Sequence, residues 1–282
     1  MPVKVITDST SDIPEALADE LDIAVVPIYV RFGQETFRDG LDISPGQLYS
    51  RLTTTEAHPA TSQPNPEDFI TVFRKHSGDA EGIVSIHISS KISGTFNSAS
   101  MARKSLDSSF PIVVIDSKFN SAGLGLVVRS AARKAKAGGS FAEVVAEAER
   151  AIAETKMFGL FKTMKYLARS GRVNKTIAAA SHFLNVMPLL TFHDGEITRA
   201  GLVRSLSRGI DRIIDFVRHN LPVTELSIVH SQVPDEAARL KQRLTEFIED
   251  KLITVSEMGA GLGVHGGPGV LLVAVRTGGS QE

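Results

Sequence analysis

The sequence predicts an α/β protein of two domains, the first containing a parallel sheet and the second a mixed sheet. Over residues 1–155, short β-branched runs alternate with helical segments that begin at capping residues, and this alternation is typical of a parallel sheet. Over residues 156–282, a hairpin-like segment interrupts the alternation, which indicates mixed strand directions. A chain of 282 residues is long enough to form two modest cores.

The first domain opens with a strand over 3–7 and a helix for which Asp12 is the predicted N-cap. The run 23–32 is predicted to be one strand, in which Pro27 lacks a backbone donor and therefore favours an edge or a bulge. Helices on both faces would make this domain Rossmann-like. The remaining predicted elements are helices that begin near Ser44, Asn65, Ser93, Ser121 and Ser140, and strands over 82–88 and 111–116.

The second domain is predicted to contain a hairpin over 189–198, because Asp194-Gly195 is a typical two-residue hairpin turn. A β-branched strand over 270–276 is predicted to end the fold. The other predicted elements are a strand over 157–162, helices over 163–170 and 175–184, and helix–strand pairs over 204–230 and 234–258.

Composition excludes several classes of function. The chain has no cysteine, so disulfides, thiol catalysis and cysteine-bound metal are excluded. The net charge of -1 is uninformative, but basic and acidic residues are interleaved and no basic stripe with interspersed aromatics occurs, which predicts no nucleic-acid partner. No apolar run approaches the ~20 residues that span a bilayer, and the amino terminus lacks the pattern of a signal peptide. We therefore expect no stable membrane insertion and a cytoplasmic location.

The segment Gly261-Leu-Gly263-Val-His-Gly266 formally matches the dinucleotide-binding pattern G-x-G-x-x-G. That pattern needs a helix after the last glycine and an acidic residue about 20 positions later. Here Gly267-Pro268-Gly269 and a strand follow instead. We therefore predict no cofactor, and a loop whose backbone closely approaches a ligand or another segment. His265 in this loop is either a binding residue or a solvent-exposed histidine.

The turn over 89–95 lies between a predicted strand and a predicted helix, where backbone N–H groups and the helix dipole attract an anion. Ser93 there is either an anion ligand or a simple N-cap, and both roles use the same electrostatics. The polar turn at Thr61 and Ser62 has no specific pattern of its own. No histidine spacing typical of zinc occurs, so no metal is predicted.

A serine hydrolase or acyltransferase is the alternative enzymatic hypothesis. Ser93, Asp116 and His265 follow the chain order of an α/β-hydrolase triad. However, Ser93 lies in Lys-Ile-Ser-Gly-Thr and not in the G-x-S-x-G elbow, and triads are defined by geometry and not by order. No catalytic residue is therefore assigned.

Six motifs in order resemble the DegV family, and the resemblance covers residues 3–278. The motifs are Ile6-Thr-Asp-Ser-Thr-Ser-Asp-Ile-Pro14, Thr61-Ser-Gln-Pro64, Ser89-Ser-Lys-Ile-Ser-Gly-Thr95, Val114-Ile-Asp-Ser117, Tyr166-Leu-Ala-Arg-Ser-Gly-Arg172 and His265-Gly-Gly-Pro-Gly269.

The resemblance implies a bacterial lipid carrier that holds a long-chain fatty acid between its two domains. It assigns the carboxylate to Thr61, Ser93 and His265, with Ser62, Gly94 and Thr95 as neighbouring ligand contacts. It also implies a separate ATP-binding subunit, since carriers of this family act as the fatty-acid-binding subunit of a fatty acid kinase. This chain has no P-loop of its own.

Three further features of the sequence bear on this resemblance. Met187 stands where relatives of this family usually have Lys before the Pro, which leaves the headgroup assignment intact and changes either contact with the partner or the local charge. The basic residues Arg169, Arg172 and Lys175 are interpreted as a solvated helix end. Apolar residues near the domain junction are candidates for lining the tail tunnel, although core packing is the better interpretation for each: Phe158, Phe161, Phe183 and Leu184.

Overall fold

The computed structural model describes residues 2–54, 58–106, 109–173 and 186–278. It contains two domains, built around a parallel sheet of four strands and a mixed sheet of six. The four-stranded sheet uses strands between residues 3 and 116, and the six-stranded sheet uses strands between 155 and 277. The predicted two-domain α/β class is therefore confirmed, whereas a boundary at residue 155 stays a prediction.

The first domain has a parallel sheet in the order β2-β1-β6-β7 and a small antiparallel sheet in the order β4-β3-β5. In chain order, its elements are β1 (Val3–Asp8), α1 (Glu15–Glu20), β2 (Ile23–Val26), β3 (Tyr29–Phe32), β4 (Glu35–Arg38), α2 (Pro45–Thr54), β5 (Ala60–Ser62), α3 (Pro66–Ser77), β6 (Gly82–His87), α4 (Thr95–Lys104), β7 (Ile112–Asp116), α5 (Ser121–Lys136) and α6 (Phe141–Glu154).

The second domain has its sheet in the order β10-β9-β8-β13-β11-β12. The pair β11 and β12 is parallel, and the other neighbouring pairs are antiparallel. In chain order, its elements are β8 (Thr155–Phe161), α7 (Lys165–Ser170), β9 (Met187–His193), β10 (Glu196–Val203), α8 (Leu206–His219), β11 (Val223–Ser231), α9 (Pro234–Leu244), β12 (Ile253–Glu257), α10 (Ala260–Gly266) and β13 (Val270–Thr277).

Alternating side chains of the parallel sheet pack on opposite layers of helices. Val5 packs with residues of α5 and α6, while its neighbour Ile6 packs with residues of α3 and α4. This arrangement follows from the period of two along a strand. Helices therefore cover both faces of the sheet, as predicted.

Helix α5 lies between the two sheets and joins them into one core. It contacts β1 of the first sheet and β8, β11 and β13 of the second, and most of its side chains are buried. Its small residues allow the close approach: a Cβ at Gly125 would lie 2.7 Å from the carbonyl oxygen of Ser11. Arg129 is fully buried in this helix and forms a 2.9 Å ion pair with Glu225 of β11. The two domains are thus in extensive contact.

Two predicted features of the first domain are wrong. The single strand predicted over 23–32 is two strands in different sheets, because Pro27 cannot continue the ladder and Ile28 N donates to Ser9 Oγ instead, at 3.1 Å. Asp12 is not the cap of α1, whose N-cap is Pro14. Asp12 instead has a left-handed backbone with φ of 48°, and its carboxyl group contacts a distant segment.

The predicted hairpin is confirmed, and its tip lies on the first domain. Asp194 and Gly195 have positive φ of 46° and 82° between β9 and β10, as a two-residue turn requires. Ser89 Oγ, which follows β6, donates to Gly195 O at 2.7 Å, and Lys118 pairs with Asp194 at 2.8 Å. The helix predicted over 175–184 lies outside the described residues, as do Lys175, Phe183 and Leu184.

Candidate functional site

A cavity of about 340 Å³ lies between the two domains, within the size range of small-molecule sites. Part of its wall comes from residues that follow the strands of the parallel sheet: Thr10 after β1, Ile88 after β6 and Asn120 after β7. Ligands of open α/β sheets bind outside the carboxyl ends of the strands. The cavity therefore occupies the position that the fold class favours for a ligand.

One wall of the cavity is apolar and is formed by the six-stranded sheet. Alternation along β8 places Gly159 and Phe161 at the cavity, while Phe158 faces the opposite side and stacks on Phe216 with ring centroids 5.2 Å apart. Core packing is thus correct for Phe158, and Phe161 lines the cavity. We call the seven residues of this wall the apolar floor: Met157, Gly159, Phe161, Leu190, Phe192, Ile197 and Leu272.

The opposite rim is polar and contains the three predicted headgroup residues. Thr61, Ser93 and His265 all line the cavity, and Thr61 Oγ1 lies 2.7 Å from His265 Nε2. Ser62 and Gly94 also line the cavity. Their contact with a ligand carboxylate stays a prediction.

Thr95 is fully buried and lies outside the cavity lining. Its hydroxyl is 2.9 Å from Ser93 Oγ, and its backbone N donates to the same oxygen at 3.3 Å. Thr95 therefore orients the serine hydroxyl from behind. Ser93 is not the N-cap of α4, since that position is Gly94 and no side chain caps it.

His265 lies in the last turn of α10 and not in a loop, so the predicted loop over this glycine-rich stretch is wrong. The predicted close approach is correct: a Cβ at Gly261 would lie 2.4 Å from Ile28 Cδ1, and one at Gly263 would lie 2.6 Å from Leu48 Cδ2. Glycines here form a helix because they allow it to pack tightly on the first domain. This packing brings His265 to Thr61.

The carboxyl groups of two buried aspartates hold the start of α10. Asp12 Oδ1 accepts from Gly259 N at 2.8 Å, and Asp39 accepts from the backbone N–H groups of Ala260 and Gly261. Burial raises the pKa of Asp12 to about 8 and that of Asp39 to about 6. These residues position His265 without lining the cavity.

Burial, followed by the positive charge of Arg172 and the neighbouring His58, lowers the pKa of His265 to about 4. The imidazole is therefore neutral at pH 7. Its Nδ1 is buried and has no hydrogen-bond partner among the described residues. Since a buried N–H without an acceptor is costly, the proton is assigned to Nε2, which then donates to Thr61 Oγ1. The Thr61 hydroxyl proton is left to donate into the cavity.

The hydrolase triad is not assembled in the structure. Asp116 accepts hydrogen bonds from Ser90 Oγ at 2.5 Å and from Lys118 N at 2.9 Å. Ser93 Oγ is hydrogen-bonded to Thr95, and His265 Nε2 is hydrogen-bonded to Thr61. Chain order was therefore a poor guide to geometry, because neither the base nor its orienting carboxylate is in place.

Several polar lining residues escaped the sequence analysis: Gln63, Lys91, Asn97, Asn120 and Arg172. Arg172 belongs to the cluster interpreted as a solvated helix end, yet it borders the cavity and affects the pKa of His265. Gln63 packs on Gly94, where a Cβ would lie 2.9 Å from the Gln63 Nε2. The adjacency of Gln63 to Thr61 was a usable indication. Lys91 and Arg172 lie within the quoted motifs over 89–95 and 166–172, whereas no pattern in the sequence distinguishes Asn97 and Asn120.

A second polar cluster is sealed inside the first domain. His87 Nε2 lies 2.6 Å from Ser85 Oγ, and His87 Nδ1 lies 3.0 Å from Asp8 Oδ2. All three side chains are inaccessible to solvent. This cluster ties β1 to β6 and has no opening for a substrate.

Within the described ranges, no group of three or more His, Asp or Glu side chains is arranged to hold a metal ion. In the same part of the chain, no helix combines the length and apolar character that crossing a bilayer needs.

Comparison with known proteins identifies relatives over almost the whole chain. A DegV domain-containing protein of Caldanaerobacter subterraneus is 32% identical over 269 residues, which cover 94% of this chain and 95% of the relative. A DegV domain-containing protein of Streptomyces coelicolor is 34% identical over 98% of each chain.

Two solved structures of similar fold are described by fatty acid binding. One is a DegV family protein of Thermus thermophilus, whose structure is described by fatty acid binding. It superposes on this chain with a TM-score of 0.91 at 31% identity, and the match covers 98% of this chain and 100% of that chain. The fatty acid binding protein DegV of Bacillus subtilis superposes with a TM-score of 0.88 at 26% identity, over 99% of this chain and 100% of that chain. The family model described as "uncharacterised protein, DegV family" matches residues 2–277, so this chain belongs to the DegV family.

Proposed function

We propose that this protein binds a long-chain fatty acid, such as palmitate or oleate, in the cavity between its domains. The carboxylate lies at Thr61, Ser93 and His265, and the acyl chain lies along the apolar floor. The protein is a non-catalytic carrier that presents the carboxylate to an ATP-binding kinase subunit in the cytoplasm.

The observation that carries the proposal is the division of one cavity into an apolar floor and a hydroxyl-bearing rim. Thr61 and Ser93 are neutral donors, and His265 is uncharged at pH 7. Such a rim binds a carboxylate through hydrogen bonds and leaves its charge in place. A lipid with an ionised end fits both walls, whereas a wholly polar ligand would leave the floor in contact with water.

The floor contributes more affinity than the rim. Burying about 14 methylenes of a C16 chain at roughly 0.8 kcal/mol each gives a gross driving force near ~11 kcal/mol before ordering costs. Hydrogen bonds to the carboxylate contribute only about 1.5–3 kcal/mol each and must first offset its desolvation. The rim therefore positions the headgroup, and the tail holds the ligand.

The comparisons support the ligand class, since the similar structures of Thermus thermophilus and Bacillus subtilis proteins are described by fatty acid binding. The kinase partner and the cytoplasmic location rest on the resemblance to the family. One geometric feature is compatible with transfer to a partner: Arg172 is exposed and borders the cavity, so a cation is available near the carboxylate.

The role of a kinase partner is tested by mixing this chain with fatty acid, ATP and a kinase subunit. The mixture should form acyl phosphate, which hydroxylamine traps, and omission of any one component should abolish it.

The binding proposal is tested by native mass spectrometry of the full chain purified from a bacterial host. We expect a co-purified fatty acid, and uptake of palmitate or oleate after delipidation. A protein that is folded by circular dichroism, carries no lipid and takes up neither acid would overturn the proposal.

The hydrolase hypothesis makes a separate prediction. A nucleophilic Ser93 should form a covalent adduct with an activated alkyl phosphonate and should turn over esters. We expect neither, because His265 Nε2 contacts Thr61 and not Ser93. An adduct mapped to Ser93 by peptide mass spectrometry would replace the carrier with an enzyme.

A further inference from the structure

Gly159 occupies the centre of the apolar floor. It lies in the middle of β8, opposite Leu272 of β13 on one side and Leu190 of β9 on the other, and all three residues line the cavity. The pairing of β8 is continuous through this position on both sides, with no register shift. A glycine inside a strand usually marks a bulge, a bend or a close approach. Since no bulge is present, close approach explains the residue.

The space above Gly159 is shared between the cavity and two of its lining side chains. A Cβ at this position would lie 2.5 Å from Leu272 Cδ2 and 3.0 Å from Phe161 Cε2. Both contacted atoms are ends of side chains that line the cavity. Both side chains are also buried, at 4% and 8% exposure, so they have little room to move away from the cavity. A side chain at residue 159 would therefore reduce the cavity, directly or by displacing its neighbours.

We propose that Gly159 determines the length of acyl chain that the cavity accepts. This inference rests on the proposed function and adds the residue that sets its specificity. An apolar pocket discriminates chain length only through small increments of contact. The centre of the floor is where one added carbon affects an elongated ligand most, because the chain must pass over it to reach the far wall.

The expected effect is a change in selectivity and not a general loss of binding. If Gly159→Ala excludes one methylene of a long chain, the affinity for stearate should fall about fourfold relative to myristate, the equivalent of ~0.8 kcal/mol. Exclusion of two methylenes would change the ratio about 15-fold by the same constant. The shorter acid should bind the variant nearly as well as it binds the wild type.

Gly209→Ala is the matched control. A Cβ at Gly209 of α8 would lie 2.5 Å from Leu160 Cδ2, and Leu160 faces the core on the opposite side of the same strand. This variant imposes a comparable contact on β8 without reaching the cavity. It should lower stability and leave the ratio of stearate to myristate affinity unchanged.

Leu272→Val provides the reverse test, because it shortens the side chain that a Cβ at residue 159 would meet. Alone, it should raise the affinity for stearate relative to myristate. Combined with Gly159→Ala, it should bring the ratio back toward the wild-type value. The single variant Leu272→Val keeps the inference falsifiable if Gly159→Ala fails to fold.

The experiment is isothermal titration of the delipidated full chain with the saturated acids from C12 to C18. A folded Gly159→Ala protein with an unchanged ratio, or a Gly209→Ala protein with an equal shift, would overturn the role of Gly159. If Gly159→Ala does not fold, a Leu272→Val protein whose ratio of stearate to myristate affinity equals that of the wild type would also overturn the role of Gly159. A wild-type protein that binds none of these acids would instead overturn the proposed function, and the inference with it.

Discussion

Two histidines, His87 and His265, sit in polar clusters of similar composition but opposite character. His87 is inaccessible to solvent, and both of its ring nitrogens have partners, Ser85 at 2.6 Å and Asp8 at 3.0 Å. His265 borders the cavity, with Thr61 at 2.7 Å from Nε2 and no partner for Nδ1 among the described residues. The first cluster is closed to solvent, and the second borders a cavity.

This difference shows that composition is a poor guide to a site. The serine, histidine and aspartate of the buried cluster are the residue types of a hydrolytic triad, yet no substrate reaches them. Thr61 and His265 form no known catalytic pattern, yet they face an open cavity. Access to a cavity distinguishes a binding cluster from a structural one.

Replacement of His87 should give the largest effect on stability. His87→Ala removes one of the hydrogen-bond partners of the buried Asp8 and opens a void beside Phe69, whose ring centroid lies 5.0 Å from that of the imidazole. We expect a loss of about 3–5 kcal/mol in the free energy of unfolding, mainly from the void. Urea unfolding measures this loss, with the partly exposed His76→Ala as control. By contrast, His265→Ala should cost about 1 kcal/mol of stability while weakening ligand binding. Equal destabilisation by His87→Ala and His265→Ala would contradict the division into a structural cluster and a binding cluster.

Changes at the rim should have smaller effects, and on binding alone. Thr61→Val and Ser93→Ala each remove one hydroxyl donor, so we expect each to lower the affinity for palmitate about five- to 30-fold, or ~1–2 kcal/mol. The fold should be preserved, which circular dichroism would check, and displacement of a fluorescent fatty acid would measure affinity. Total loss of binding from both changes in folded proteins would show that the headgroup, and not the tail, dominates affinity.

The smallest effect concerns the aspartate that positions His265. The pKa of Asp12 is raised from 3.8 to about 8, so the folded protein retains a proton that the unfolded chain releases between these values. Stability should therefore fall as pH rises through this window, by up to ~1.4 kcal/mol per pH unit. Ser121 Oγ donates to Asp12 Oδ2 at 2.5 Å, and a hydroxyl can also accept. Asp12→Asn mimics the protonated acid, because its oxygen can accept from Gly259 N and its amide nitrogen can donate to Ser121 Oγ, and it should flatten this fall.

The measurement is thermal or urea unfolding between pH 6.5 and 8. In this range Asp39, with a pKa of about 6, contributes little to the slope. His265, whose pKa is 6.5 in the unfolded chain and about 4 in the folded one, adds a rise near pH 6.5 that is the same in wild type and Asp12→Asn, so the difference between the two slopes isolates Asp12. Asp42→Asn is the control, because Asp42 is paired with Arg38 and its pKa is lowered to about 2. A slope that is the same in wild type and Asp12→Asn would show that this carboxyl is ionised throughout.

Local patterns predicted most elements because capping residues and β-branched runs act over a few positions. The capping pair at Asn65 and Asp68 is present at α3, and the Asp194-Gly195 turn forms the predicted hairpin. Helix α10 was missed because its seven residues are rich in glycine, which disfavours helices in isolation. Its stability comes from packing against Ile28 and Leu48, which no local pattern contains.

The candidate site was predicted only through resemblance to the family. Electrostatics at a helix start pointed to Ser93, but nothing in the local sequence joins it to Thr61 or His265. The residues of the apolar floor could not be predicted from the sequence for a similar reason. Alternation shows that one face of β8 is buried, and it does not show which face borders a cavity. Phe158 and Phe161 are alike in sequence and lie on opposite sides of the sheet.

Thr61 and His265 are separated by 204 positions in the chain, and Leu272 of the apolar floor follows them. Synthesis proceeds from the amino terminus, and domains generally fold in that order. The parallel sheet is complete once residue 116 has been made, long before the histidine exists. The cavity is therefore completed late, because β13 lies between β8 and β11 and the six-stranded sheet that forms the apolar floor cannot assemble until β13 has been made.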